Sequence, residues 1–181
     1  MKKLVSLALA AVLALSVVAC GSSDTAASTT ESTSESSDAA ASADGAFKIG
    51  GIGPITGGAA IYGQAVMNAA QMATDEINAA GGINGYQVEF RFEDDEHDAE
   101  KSVNAYNTLK DWGMQISLGS VTSTPGIATS AENFNDRIFA LTPSASATNV
   151  TEGKDNVYQM CFADPNQGSA SAQYIFDQKL G

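Results

Sequence analysis

The sequence predicts an α/β fold, a parallel sheet with helices on both faces, and three observations carry that reading. Short stretches with a hydrophobic period of two alternate with longer stretches of helical period between Phe47 and Leu141. The loops between them are short. The run Ile138-Phe139-Ala140-Leu141, after Arg137, is apolar without a break, as a central strand of a parallel sheet requires. A length of 181 residues suits one domain with flanking segments.

The flanking segment comes first. Lys2 and Lys3 precede an apolar run from Leu4 to Ala19, broken only by Ser6 and Ser16. That run is too short to read as a spanning helix and has the form of an export leader. From Gly21 to Ala46 there is no aromatic and no branched aliphatic residue. Such a stretch cannot bury enough apolar surface to offset chain entropy, so a disordered tether is expected over residues 20–46.

Order begins at Phe47. Phe47, Ile49 and Ile52 mark a first strand closed by Gly53-Pro54. After the loop Thr56-Gly57-Gly58 a helix is expected from about Ala60 to Ala80. Its Val66, Ala69, Ala70, Ala73 and Ile77 share one face, and Gly81-Gly82 ends it. Val88, Phe90 and Phe92 alternate with Glu89, Arg91 and Glu93, which predicts a strand with one wet face at a sheet edge. A second helix is expected from Ala99 to Trp112, with Val103, Tyr106 and Leu109 inward.

Met114, Ile116 and Leu118 mark the third strand, which runs into Gly119-Ser120-Val121-Thr122-Ser123-Thr124-Pro125. Pro125 suits a first helical position, which places the N-cap at Thr124 or Ser123. A strand would then end at a helix N-terminus carrying hydroxyls, unpaired N–H groups and a positive dipole end, a combination that suits a small anion. The competing reading is an ordinary capped helix. Three strand ends are polar and glycine-rich: Gly53 to Tyr62, Gly119 to Thr124, and Thr142 to Thr148. In parallel sheets ligands sit beyond such ends, where strand order reverses.

Composition removes several function classes. A formal net charge of −12 argues against nucleic acid and against an anionic membrane surface as partner. Gly51-Ile52-Gly53 is followed three residues on by Thr56, so the dinucleotide fingerprint is missing, and no Gly-Lys-Ser/Thr phosphate loop occurs. The run Glu93 to Asp98 with His97 could be read as a metal cluster, but reads better as a solvated loop with acids near a helix start. Nothing marks a nucleophile beside His97, so no catalytic residue, cofactor or metal is expected. Two cysteines make no disulfide framework, and Cys161 is expected as a buried structural thiol.

Two resemblances add to this. Val17-Val18-Ala19-Cys20-Gly21 resembles a bacterial lipobox, which implies cleavage after Ala19 and lipidation of Cys20. From Phe47 to the end, the chain resembles the leucine/isoleucine/valine-binding family of solute receptors for ABC importers. The markers are Gly53-Pro54-Ile55-Thr56-Gly57 with Tyr62-Gly63, Asp75 to Gly85, Asp94-Asp95, Gly119 to Ser123, Thr142 to Ser146, and Phe162 to Gly168.

That resemblance implies the N-terminal lobe of a two-lobe type I periplasmic-binding-protein fold. Residues 47–163 would form the lobe, with a hinge crossing near Asp164 and the first helix of a second lobe in 164–181. The chain would then be a fragment of a longer protein and would bind ligand weakly by itself. By the same resemblance Ser123 would hold a ligand carboxylate through its hydroxyl and backbone N–H, with Thr124 beside it. Ser146 would contact the carboxylate by its N–H and the ammonium by its hydroxyl. The Ser144 carbonyl would accept from the ammonium, and Tyr62 would close over the ligand. Some relatives carry a cysteine pair where this chain has His97 and Thr122, so no such brace is expected, and Gln159 stands where Arg is frequent. The implied function is a lipid-anchored extracellular or periplasmic receptor that takes an amino acid to an ABC permease. The alternative is a small-molecule sensor on the same fold.

Overall fold

The computed structural model describes residues 45–180. The leader, Cys20 and the expected tether up to Asp44 lie outside the described residues. The elements run β1 (Ala46–Gly53), α1 (Ala60–Ala79), β2 (Gln87–Asp94), α2 (Ala99–Trp112), β3 (Ile116–Ser120), α3 (Ser123–Asp136), β4 (Phe139–Thr142), β5 (Val157–Gln159) and α4 (Asp164–Asp177). A single 3-10 turn, Thr148–Val150, links β4 to β5.

All five strands are parallel, in the order β2-β1-β3-β4-β5. The half-wet β2 takes an edge, as its alternation predicts. β1 pairs with β2 on one side and β3 on the other, so strand order reverses there, and the crevice beyond their carboxyl ends is where such sheets bind ligands.

Helices lie on both faces. Ile52 packs with Ala105, Tyr106 and Leu109 of α2 and with Met114, while Ala140 and Val157 pack with Ala145 and Val150. Tyr106 and Leu109 are fully buried, worth about 1.5–3 kcal/mol for a side chain such as Leu109. α1 lies on the opposite face, over β1 and β2. Beyond its edge, among the described residues, that face is only partly covered: Phe139 and Tyr158 stack on each other with ring centroids 5.4 Å apart and remain half exposed.

Helix ends follow local chemistry. α1 stops at Ala80, and Gly81 and Gly82 follow at φ 97° and 78°, a left-handed exit open chiefly to glycine. The Asp98 carboxylate caps α2 by accepting from the Lys101 N–H at 2.9 Å. Two boundaries differ from expectation. α3 starts at Ser123 with Thr122 as N-cap, so Pro125 stands third in the helix rather than first. No first-turn N–H has an intrahelical partner, so proline is tolerated at any of these positions. Arg137 ends α3 in a left-handed turn at φ 60°, and β4 therefore begins at Phe139. Cys161 is half-buried rather than buried, its thiol facing the Ala145 carbonyl at 3.5 Å.

Candidate functional site

Three loops at the carboxyl end of the sheet converge on one cavity of about 240 Å³, lined by Tyr62, Val121, Thr122, Ser123, Ser144 and Ser146. Tyr62 comes from the first turn of α1, residues 121–123 from the β3–α3 junction, and Ser144 and Ser146 from the loop after β4. The cavity lies below the roughly 300–1,000 Å³ typical of drug-sized ligands, a size suited to a molecule of few heavy atoms. Two larger hollows are lined almost wholly by apolar side chains, one against α4 and one between α1 and the sheet. The smaller cavity, by contrast, joins polar groups from separate strand ends.

The anion side is α3 itself. The Thr122 side chain does not cap it. Among the described residues the Ser123 and Thr124 N–H groups have no hydrogen-bond partner, and Pro125 has no N–H to offer. A 14-residue helix therefore begins at the cavity wall with its positive end and, over Ser123 and Thr124, two unpaired donors.

The Ser123 hydroxyl has a structural task besides the one expected. Its Oγ accepts the Ser146 and Ala147 backbone N–H groups, each at 3.2 Å. Those bonds staple the β4 loop onto the start of α3. They occupy the Ser146 N–H that the family resemblance assigns to a carboxylate, while the Ser123 hydroxyl proton remains available to donate. The same loop is tied elsewhere: Ser144 Oγ donates to the Val121 carbonyl at 2.6 Å, and Thr142 Oγ1 donates to the Ser120 carbonyl at 2.9 Å. Gln159 Nε2 donates to the Ala145 carbonyl at 2.8 Å. Among the described residues no hydrogen bond uses the Ser144 carbonyl, which leaves it as an acceptor.

Tyr62, Ser123, Ser144 and Ser146 thus come together; Thr124 is exposed and does not line the cavity. Its place at the rim is taken by Thr122, which the sequence reading did not select. Tyr62 is 62 % exposed and is not a packed core side chain. Asp164, the expected hinge, opens α4, and its N–H donates to the Ser146 carbonyl at 3.0 Å.

The Tyr62 loop is held from β2. Asp94 Oδ1 accepts the Ile55 N–H at 2.9 Å and Oδ2 accepts the Thr56 hydroxyl at 2.5 Å. Burial alone would raise the Asp94 pKa, but these bonds and one from the Glu96 N–H outweigh it and hold the carboxyl below its ordinary value. Asp95 behaves oppositely. Burial pushes its pKa up, with the Asp94 charge adding to it, against a hydrogen bond from the His97 N–H. Its Oδ2 is buried without a hydrogen-bond partner.

At the two positions for which no cysteine brace is expected, His97 Nδ1 and Thr122 Oγ1 form a hydrogen bond of 2.8 Å between the second and third strand ends. These residues are 25 apart in sequence, and no local pattern signals the pairing.

A family model described as periplasmic binding protein matches residues 46–181. The Leu/Ile/Val-binding protein BraC3 of Rhizobium johnstonii is 38% identical over 128 residues, covering 70% of this chain and 35% of BraC3. A leucine-, isoleucine-, valine-, threonine- and alanine-binding protein of Pseudomonas aeruginosa is 31% identical over 132 residues, covering 72% and 35%. Among solved structures, the leucine binding protein LivK of Thermotoga maritima superposes with a TM-score of 0.67 at 28% identity, covering 72% of this chain and 37% of that one. LivJ of Streptococcus pneumoniae, solved with isoleucine, gives 0.63 at 32% identity, covering 66% and 34%. The chain spans about a third of the length of the curated relatives it matches, 35% in the two quoted.

Proposed function

We propose a function from one premise, that this chain belongs to the periplasmic binding protein family, alongside the Leu/Ile/Val-binding proteins. It captures an amino acid, with branched-chain side chains favoured, and hands it to the permease of an ABC importer. No bond is made or broken. The observation that carries the reading is the pairing of an uncapped helix N-terminus with unpaired carbonyl and hydroxyl acceptors in one small cavity. The ligand carboxylate sits against the Ser123 and Thr124 N–H groups and the Ser123 hydroxyl. The ammonium meets the Ser144 carbonyl and the Ser146 hydroxyl. Tyr62 packs over the ligand from α1.

Hydrogen bonds to charged groups are worth about 1.5–3 kcal/mol each, but association costs about 4 kcal/mol or more in lost freedom. A cradle reached from one lobe therefore leaves a dissociation constant in the millimolar range, about −4 kcal/mol. Two lobes closing on the same ligand would exclude water and tighten the complex. Cys20 carries the lipid that anchors the protein on the periplasmic or extracellular side of the membrane, the residues between Cys20 and β1 serve as the tether, and residues 164–181 lead into the second lobe.

Saturation-transfer NMR on the full chain tests this with three probes of matched side chain: leucine, isocaproate and isoamylamine. The proposal expects the strongest transfer to leucine, which carries both charges. Equal transfer to all three, or a preference for the amine alone, would overturn it.

A further inference from the structure

The β2–α2 turn holds His97 in an unusual backbone state for a purpose that the cradle described above does not explain. Glu96 and His97 both lie in the left-handed region, at φ 47° and 62°. Consecutive non-glycine residues there are disfavoured, and such strain gathers at sites that use it. The turn is held by buried Asp95, whose N–H donates to the Gly53 carbonyl at 3.2 Å and whose Oδ1 accepts the His97 N–H at 2.9 Å. The Asp95 carbonyl accepts the Asp98 N–H at 2.7 Å. So fixed, the imidazole reaches across to the β3–α3 junction and places Nδ1 2.8 Å from Thr122 Oγ1. Thr122 is both the N-cap residue of α3 and part of the cavity wall.

We propose that His97 is a positioning residue of this site, whose Nδ1 decides whether the Thr122 hydroxyl offers the cavity a proton or a lone pair. The inference rests on the amino-acid reading above. A bare Nδ1 takes the Thr122 proton, and Thr122 then shows the ligand an acceptor. A protonated Nδ1 donates to Thr122 Oγ1 instead, and the freed hydroxyl proton turns toward the carboxylate. Acid therefore adds a donor beside the two unpaired N–H groups of α3. The charged groups around the ring are Asp94 and Asp95 at the end of β2, Glu96 and Asp98 on either side, and Lys101 of α2, whose Nζ lies 2.6 Å from Glu96 Oε2. The facing start of α3, Ser123 and Thr124, and the β1–α1 loop residues Ile55 and Thr56 carry no charge.

His97 is the one histidine in the sequence, so its imidazole resonances are unambiguous in the full 15N-labelled chain. Thr122→Val should move the Nδ1 resonance and leave Nε2 nearly unchanged, and an unmoved Nδ1 would overturn the positioning contact. Leucine is then titrated at about pH 8 and about pH 5. The unsubstituted chain should bind about two- to tenfold more tightly in acid, the worth of one hydrogen bond. Thr122→Val and His97→Asn should each abolish that ratio. A ratio that persists in His97→Asn would overturn the proposal while sparing the capture reading. A chain blind to leucine at both pH values would overturn the capture reading and this consequence of it, with the Nδ1 shift still deciding the contact.

Discussion

Replacing Ser123 with alanine removes one oxygen and strands two amides. Ser123 Oγ is the acceptor for both the Ser146 and the Ala147 N–H, at 3.2 Å each. A net hydrogen bond is worth about 0.5–1.5 kcal/mol, and both donors are half-buried, so water replaces part of the loss. Alanine recovers up to about 0.5 kcal/mol as a better helix former in the first turn of α3. The expected cost is about 1–2 kcal/mol, seen as a lower urea midpoint at unchanged slope. The loss is local, so amide exchange at residues 146 and 147 should accelerate about 5- to 30-fold. Ser123→Thr, which keeps the oxygen, should restore most of both. If Ser123→Ala matched the unsubstituted chain in midpoint and in exchange at these two amides, the staple between the loops would be refuted.

Other outcomes follow from the same contacts. Ser123→Asp puts a carboxylate on the α3 N-terminus, which favours it by about 0.3–1 kcal/mol; the variant should be at least as stable as the parent in urea yet fail to respond to leucine. Gly63→Ala would set a Cβ 1.9 Å from the Pro54 carbonyl oxygen, a backbone atom that cannot swing away. It should cost about 3 kcal/mol, roughly 10 °C in melting midpoint, where glycine-to-alanine inside a helix ordinarily stabilises; a midpoint at or above the parent's would refute the close approach. The two carboxylates ending the β2 strip should respond to pH with opposite sign. Asp95 is raised above its ordinary value of 3.8, so folding takes up a proton and stability falls as pH rises through the window above that value. Asp95→Asn should abolish that fall and be no less stable at neutral pH. Asp94 is lowered from 3.8, so its contribution is present above that value and is lost as pH falls below it; Asp94→Asn should lose it at neutral pH. Urea unfolding across the acid range reads both.

Most of the element order was legible because it rests on local periodicity: the single face of α1 and the alternation of β2 and β3 each fit within one element. β5 was not, since Val157–Gln159 is too short to display a period. The start of α3 was misplaced by one or two residues, because Pro125 is compatible with any first-turn position and Thr122, Ser123 and Thr124 are all good capping residues. The site divides the same way. That three polar strand ends meet follows from parallel topology alone; Tyr62, Ser123, Ser144 and Ser146 on those ends are singled out by the family resemblance, and all four line the one cavity. The use of the Ser123 oxygen by the Ser146 and Ala147 amides, and the bond from His97 to Thr122, depend on how loops far apart in sequence settle against each other. No residue pattern encodes that.

The central claim is that α3's uncapped N-terminus holds the carboxylate of a zwitterion whose ammonium faces the loop after β4. Residue-resolved 15N–1H titration of the full chain with leucine at millimolar concentration tests it most directly. The largest shifts should fall at the Ser123 and Thr124 amides and at the amides of residues 144–147, with Tyr62 following. Shifts confined to the apolar groove under α1, or none at these amides at saturating leucine, would contradict it.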